Sequence, residues 1–177
     1  MILLLLIPLA FALAISSAFD DEIQRVADQN GLGGFDPEEP SIFDDRETIF
    51  GTNTSETLIG TEGNDALFAL GQADIVRGLS GDDLIDAGTN NDTVFGGAGI
   101  DRFILNEDMA DENTVLIADF TAGEDVIALE YNGTTAPEID IRDRAENAVI
   151  FIGEDVIAII EGGVGLVASD IRLVQTT

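Results

Sequence analysis

The chain has no cysteine, no histidine, no lysine and no tryptophan, and it has a single tyrosine. The missing cysteines exclude disulfides, thiol chemistry and thiolate metal sites. Without histidine the chain lacks the commonest general base and the commonest transition-metal ligand. Its seven basic residues are all arginine and face 35 acidic ones, for a net charge of −28 over 177 residues. So acidic a chain is repelled by a nucleic-acid backbone, and no nucleic-acid partner is expected. GxSxG, HExxH and P-loop patterns are absent as well, so no enzyme is expected. What remains is oxygen, in carboxylates, hydroxyls and carbonyls, which are the ligands of hard cations.

The acidic residues are not scattered. Six nine-residue units run in register over residues 51–104, and the sixth position of each is acidic: Glu56, Asp65, Asp74, Asp83, Asp92 and Asp101. The eighth position is always a large apolar residue: Leu58, Leu67, Val76, Ile85, Val94 and Phe103. Positions seven to nine make a minimal strand, such as Ala66-Leu67-Phe68, in which side chains alternate faces and position eight points inward. Positions one to six are rich in Gly, Asn, Asp and Thr, which supply tight turns. Strand plus turn, repeated, predicts a coil of parallel strands. One unit alone cannot order itself, because its nine backbones cost about 1–2 kcal/mol each while one buried Leu or Val returns about 1.5–3 kcal/mol.

Two units per coil place equivalent residues 18 apart in sequence and about 4.8 Å apart in space. Two bare carboxylates at that spacing repel by about 0.9 kcal/mol in water and about 3.5 kcal/mol at an effective dielectric of 20. The ladder therefore opposes folding unless a cation lies along it. An oxygen-only donor set, turn carbonyls included, favours Ca²⁺. Aspartates that merely shape turns in a metal-free solenoid are the competing reading, and the repulsion counts against it.

The units resemble the GGxGxDxUx nonapeptides of the RTX calcium-binding repeat family. Gly60-Thr61-Glu62-Gly63-Asn64-Asp65-Ala66-Leu67 and Gly96-Gly97-Ala98-Gly99-Ile100-Asp101-Arg102-Phe103 match best. Residues 114–129 (TVLIADFTAGEDVIAL) also resemble the segment that follows the roll in such proteins. The resemblance implies an all-β fold, a right-handed parallel β-roll, with Ca²⁺ held in it. It also implies an exported protein.

Pairing units by 18 sorts the acids into two rows. Asp65, Asp83 and Asp101 each follow a glycine by two residues (Gly63, Gly81, Gly99), whereas Glu56, Asp74 and Asp92 follow Thr54, Gln72 and Asn90. Left-handed backbone suits Gly and Asn and suits Thr and Gln poorly. The first row is therefore expected to hold the stronger sites, the second the weaker ones, with Glu56 weakest at the end of the stack.

Around the roll the organisation is coarser. Residues 1–19 are almost continuously apolar and read either as a secretory signal peptide or as an uncleaved helical membrane anchor. Residues 20–50 form an acidic segment and linker, with a short helix expected over 20–30. Residues 105–177 read as a β-rich C-terminal cap, with strands at 114–120, 125–130, 148–152 and 156–160, the last two a hairpin, and one more strand within 164–174. The expected function is calcium binding by a secreted or cell-surface protein whose roll folds on meeting external Ca²⁺. The alternative is a calcium-dependent adhesive or structural surface protein, with the apolar run 148–160 as its contact.

Overall fold

The computed structural model describes residues 46–107 and 113–176. The expected N-terminal helix of residues 2–19, the short helix over 20–30 and the linker over 31–45 lie outside the described residues. Among the described residues no helix is long and apolar enough to cross a membrane.

The described fold is all-β. Its strands are β1 (Glu47–Phe50), β2 (Thr57–Ile59), β3 (Asp65–Phe68), β4 (Ile75–Ser80), β5 (Leu84–Asp86), β6 (Thr93–Ala98) and β7 (Arg102–Asn106). They are followed by β8 (Val115–Ile117), β9 (Val126–Tyr131), β10 (Ile139–Arg144), β11 (Asn147–Ile152), β12 (Asp155–Glu161) and β13 (Ile171–Gln175). One sheet runs β1-β3-β5-β7-β9-β13 and the other β10-β11-β12-β8-β6-β4-β2. From β1 to β10 successive strands thus alternate between sheets, and in the repeats two units complete one coil. The pairing is parallel with an 18-residue step, as in Ala66↔Leu84↔Arg102 and Ile75↔Thr93.

Position eight points inward in every unit. Leu58, Leu67, Val76, Ile85, Val94 and Phe103 are all buried in one hydrophobic core shared by the two sheets. No single nonapeptide could make this core. It arises because stacking carries each apolar side chain onto its equivalents above and below, as in any solenoid.

The coil extends beyond the six units in both directions. β1 pairs with β3 in the same register, Glu47↔Asp65 and Ile49↔Leu67, so a further strand precedes Gly51. At the other end β9 continues the sheet of β7 (Phe103↔Ile127) and β8 that of β6 (Val94↔Ile117). The C-terminal strands then close the stack. β11 and β12 form the expected antiparallel hairpin, β12 runs parallel to β8, and β13 runs parallel to β9. β10, over Ile139–Arg144, is a strand the apolar pattern did not show, because its residues alternate with charges (IDIRDR). It is the edge strand of its sheet, where Arg142 lies over the Phe151 ring and pairs with Asp140 at 2.5 Å. Charged side chains on an edge strand block further pairing.

Candidate metal centre

The acidic residues of position six lie where the turns that connect the two sheets enter the strands, Asp65 being the first residue of β3. Asp65, Asp74, Asp83, Asp92 and Asp101 are all buried, at 0–2% exposure. A buried carboxylate demands partners, and in four of these five the stack itself satisfies one oxygen. Oδ1 of Asp74, Asp83, Asp92 and Asp101 accepts the backbone N–H of the position-six residue 18 before it, at 2.8–2.9 Å. Each aspartate therefore clamps the coil beneath it.

The second oxygen divides the six residues. Oδ2 of Asp74, Asp83, Asp92 and Asp101 is buried and has no hydrogen-bond partner. At the start of the stack the second oxygen is closed off. Asp65 Oδ2 accepts the Thr61 backbone N–H at 2.6 Å, and Glu56 Oε1 accepts that of Thr52. In the four interior units the turn has swung this amide away. Positions two and four there are left-handed: Leu70 and Gln72, Leu79 and Gly81, Gly88 and Asn90, Gly97 and Gly99. Thr52, Thr54, Thr61 and Gly63 are not.

This geometry departs from the sequence expectation in an informative way. Gln72 adopts the left-handed region at φ 77°, although glutamine suits it poorly, and so do Leu70 at 75° and Leu79 at 90°. Such residues cost about 1–3 kcal/mol each and persist where the surrounding structure over-determines them, commonly at ligand sites. Position two carries no glycine in units three and four, so sequence alone offered no signal for its conformation.

Position one supplies the remaining contrast. A Cβ at Gly78 or Gly96 would collide with Oδ2 of Asp83 or Asp101. The equivalent residues beside Asp74 and Asp92 are Ala69 and Ala87, both fully buried. The carboxylates of Asp83 and Asp101 thus pack directly against a glycine Cα, a contact that an alanine at position one would not allow.

Electrostatics adds to the case. Burial, and then the neighbouring acids, push Asp83, Asp92 and Asp101 up to about 6 from an ordinary 3.8. A hollow opens beside Asp83 and Asp101, lined also by Arg46, Asp82, Ile100, Arg102 and Val126. Among the described residues no three acidic side chains converge on one point. Any cation here must therefore complete its shell with turn carbonyls and water, both of which Ca²⁺ accepts. Buried, unpartnered carboxylate oxygens in an oxygen-only setting fit that ion. A softer metal would favour the imidazole or thiolate ligands the chain lacks.

The family model of the RTX calcium-binding nonapeptide repeat, four copies, matches residues 50–85 and 71–103. Residues 50–103 carry RTX calcium-binding nonapeptide repeats. RTX nonapeptide repeats bind Ca²⁺, so calcium is the ion to which this roll is matched. Among solved structures, the chain is similar to the solution structure of a subunit of the Azotobacter vinelandii mannuronan C5-epimerase. The two share 23% identity with a TM-score of 0.50, covering 75% of this chain and 84% of that one. That likeness is one of fold. Comparison with curated proteins gives no match.

Proposed function

We propose that this chain is an exported calcium-binding protein whose RTX roll becomes ordered by the Ca²⁺ it meets outside the cell. The residues that would hold the ion are Asp65, Asp83 and Asp101 in one row and Asp74 and Asp92 in the other, with Glu56 at the end. The observation that carries this reading is the set of four buried, unpartnered Oδ2 atoms. A buried oxygen left without a partner costs about 1–3 kcal/mol, and more when charged. Four of them make the metal-free roll a poor folded state and the loaded roll a good one. Binding free energy is then folding free energy, as for any site absent from the unfolded chain.

Export is supported by the apolar segment 2–19, read as a signal peptide or a membrane anchor. Residues 148–160, which could have offered an adhesive contact, instead contribute Ala148, Ile150, Ile157, Ala158 and Ile160 to the core. Their burial favours the calcium-binding reading over an adhesive one built on this run.

Calorimetry with Ca²⁺ and far-ultraviolet circular dichroism test the proposal together. Saturable heat and a β-sheet signal lost in excess chelator are expected. Absence of heat would reject calcium binding, and an unchanged spectrum in chelator would reject coupling of the metal to folding.

A further inference from the structure

Position seven of a unit lies on the face of its strand opposite to position eight. In five of the six units it is uncharged: Thr57, Ala66, Ile75, Leu84 and Thr93. In the sixth it is Arg102, the first residue of β7. The register sets Arg102 between Leu84 of β5 and Val126 of β9. Leu84 is buried and Val126 half-buried, so the arginine rises from an apolar strip of the sheet.

Arg102 Nε is buried and has no hydrogen-bond partner, in a chain with 35 acidic residues. Like charge lies near it instead. Burial, and then the charges of Arg172 and Arg46, push this guanidinium below its ordinary value. A cation so placed opposes folding unless an anion reaches it.

Space for an anion is present. Arg102 and Arg46 line one hollow of about 160 Å³, together with Asp82, Asp83 and Asp101. Ile100 and Val126 complete its wall with apolar surface. Three carboxylates there outweigh two guanidinium groups, and an added anion is repelled. A calcium ion on Asp83 and Asp101 reverses the balance, since a bound cation is the largest local charge in such a site. The planar guanidinium fork matches a carboxylate better than any spherical anion. The hollow is smaller than the roughly 300–1,000 Å³ of a drug-sized pocket, so it admits a carboxylate group with a short carbon stem against Ile100 and Val126.

We infer that Arg102 and Arg46 form a binding site for a carboxylate group beside the calcium row, coupled to occupation of that row. The inference rests on the calcium reading of the repeats. The coupling is reciprocal: calcium tightens the carboxylate, and the carboxylate tightens calcium by the same factor. The roll then does more than hold metal, because its loaded form recognises an acidic small molecule that its empty form repels.

The test uses the full chain with Ca²⁺ and acetate, and chloride replaces acetate at equal ionic strength as the control. In calcium-loaded, arginine-labelled wild type, the Arg102 Nε–H resonance should move saturably with acetate and stay in place with chloride. Arg102→Gln should keep every calcium equivalent in calorimetry and bind acetate about tenfold more weakly, or worse. Asp82→Asn, which removes a repelling charge from the hollow, should bind acetate severalfold more tightly. Acetate should raise calcium affinity in the wild type and leave it unchanged in Arg102→Gln. An unmoved resonance, or equal acetate affinity in wild type and Arg102→Gln, overturns the site while leaving the repeat sites standing. An equal response to chloride overturns the choice of a carboxylate. A wild type that takes up no calcium overturns the calcium reading, and the coupling with it.

Discussion

The backbone N–H of Asp83 donates to Oδ1 of Asp101 at 2.9 Å, and Oδ2 of the same carboxylate is buried with no partner. One side chain is thereby split between two tasks. One oxygen holds the coil below, and the other is left for a ligand. The pattern repeats at Asp74, Asp83 and Asp92. At Asp65, by contrast, both oxygens are engaged within the turn, by the Thr61 hydroxyl and the Thr61 N–H.

Asp83→Asn should weaken calcium binding more than Asp92→Asn. Both carboxylates have an orphan oxygen, but Asp83 faces the Cα of Gly78 while Asp92 belongs to the unit that opens with buried Ala87. The expected difference is about tenfold, or about 1.4 kcal/mol. Calorimetry at fixed ionic strength reads it, and the reverse order would reject the ranking of the two rows.

Gly81 and Gly63 occupy the same position in adjacent units of one row yet should respond differently to alanine. Gly81 has φ 112°, and a Cβ there would meet the Gly63 carbonyl group; Gly63 is not left-handed, and nothing lies nearer to its Cβ position than 3.7 Å. Gly81→Ala should cost about 2 kcal/mol or more, and Gly63→Ala should stay within about 0.5 kcal/mol. Urea unfolding in saturating calcium measures both. Equal losses would mean that the turn conformations are not those described.

Leu79 sits at φ 90° and is 38% exposed. The left-handed conformation costs a side-chain-bearing residue about 1–2 kcal/mol, and glycine's extra backbone entropy returns about 0.5–1 kcal/mol of that loss. Leu79→Gly should therefore stabilise the calcium-loaded chain slightly, by a few tenths of a kcal/mol to about 1 kcal/mol. A clear drop in the unfolding midpoint would show that Leu79 contributes packing that outweighs its strain.

Acid should partly replace calcium. Asp83, Asp92 and Asp101 titrate near 6 in the fold against an ordinary 3.8. A carboxyl group with a raised folded value binds its proton more tightly when folded. Its contribution is complete below about 3.8 and is lost as pH rises through about 6. In excess chelator the β-sheet signal should therefore be stronger at pH 5 than at pH 7.5, by a difference on the order of a few kcal/mol in stability. Calcium, which binds the charged form, should show the opposite trend, weakening as pH falls. A metal-free spectrum that does not change between those two pH values would contradict the burial of these carboxylates.

Much of this was legible in the residues. The period of nine placed Leu67, Ile85 and Phe103 in one core line and Asp65, Asp83 and Asp101 in another, because a strand alternates faces and a coil of two units repeats every 18 residues. The hairpin of β11 and β12 was readable from its β-branched runs. Other features were not. β1 belongs to the coil through Glu47 and Ile49, both in phase with the repeat, but the sequence just before it, residues 42–46 (IFDDR), has no glycine to signal a unit. Gln72 and Leu79 take a conformation that their side chains disfavour, and no local rule predicts that.

By itself, then, the sequence determined the ligand chemistry and the architecture. Its donors are all oxygen, and a strict period leaves a chain one regular way to bury its apolar positions. Only the tertiary structure decided which oxygens are free to act. That depends on whether a turn amide from four residues earlier reaches the second carboxylate oxygen, as at Asp65, or is swung away, as in the interior units. The difference is set by the coils stacked on either side, and no nonapeptide contains it.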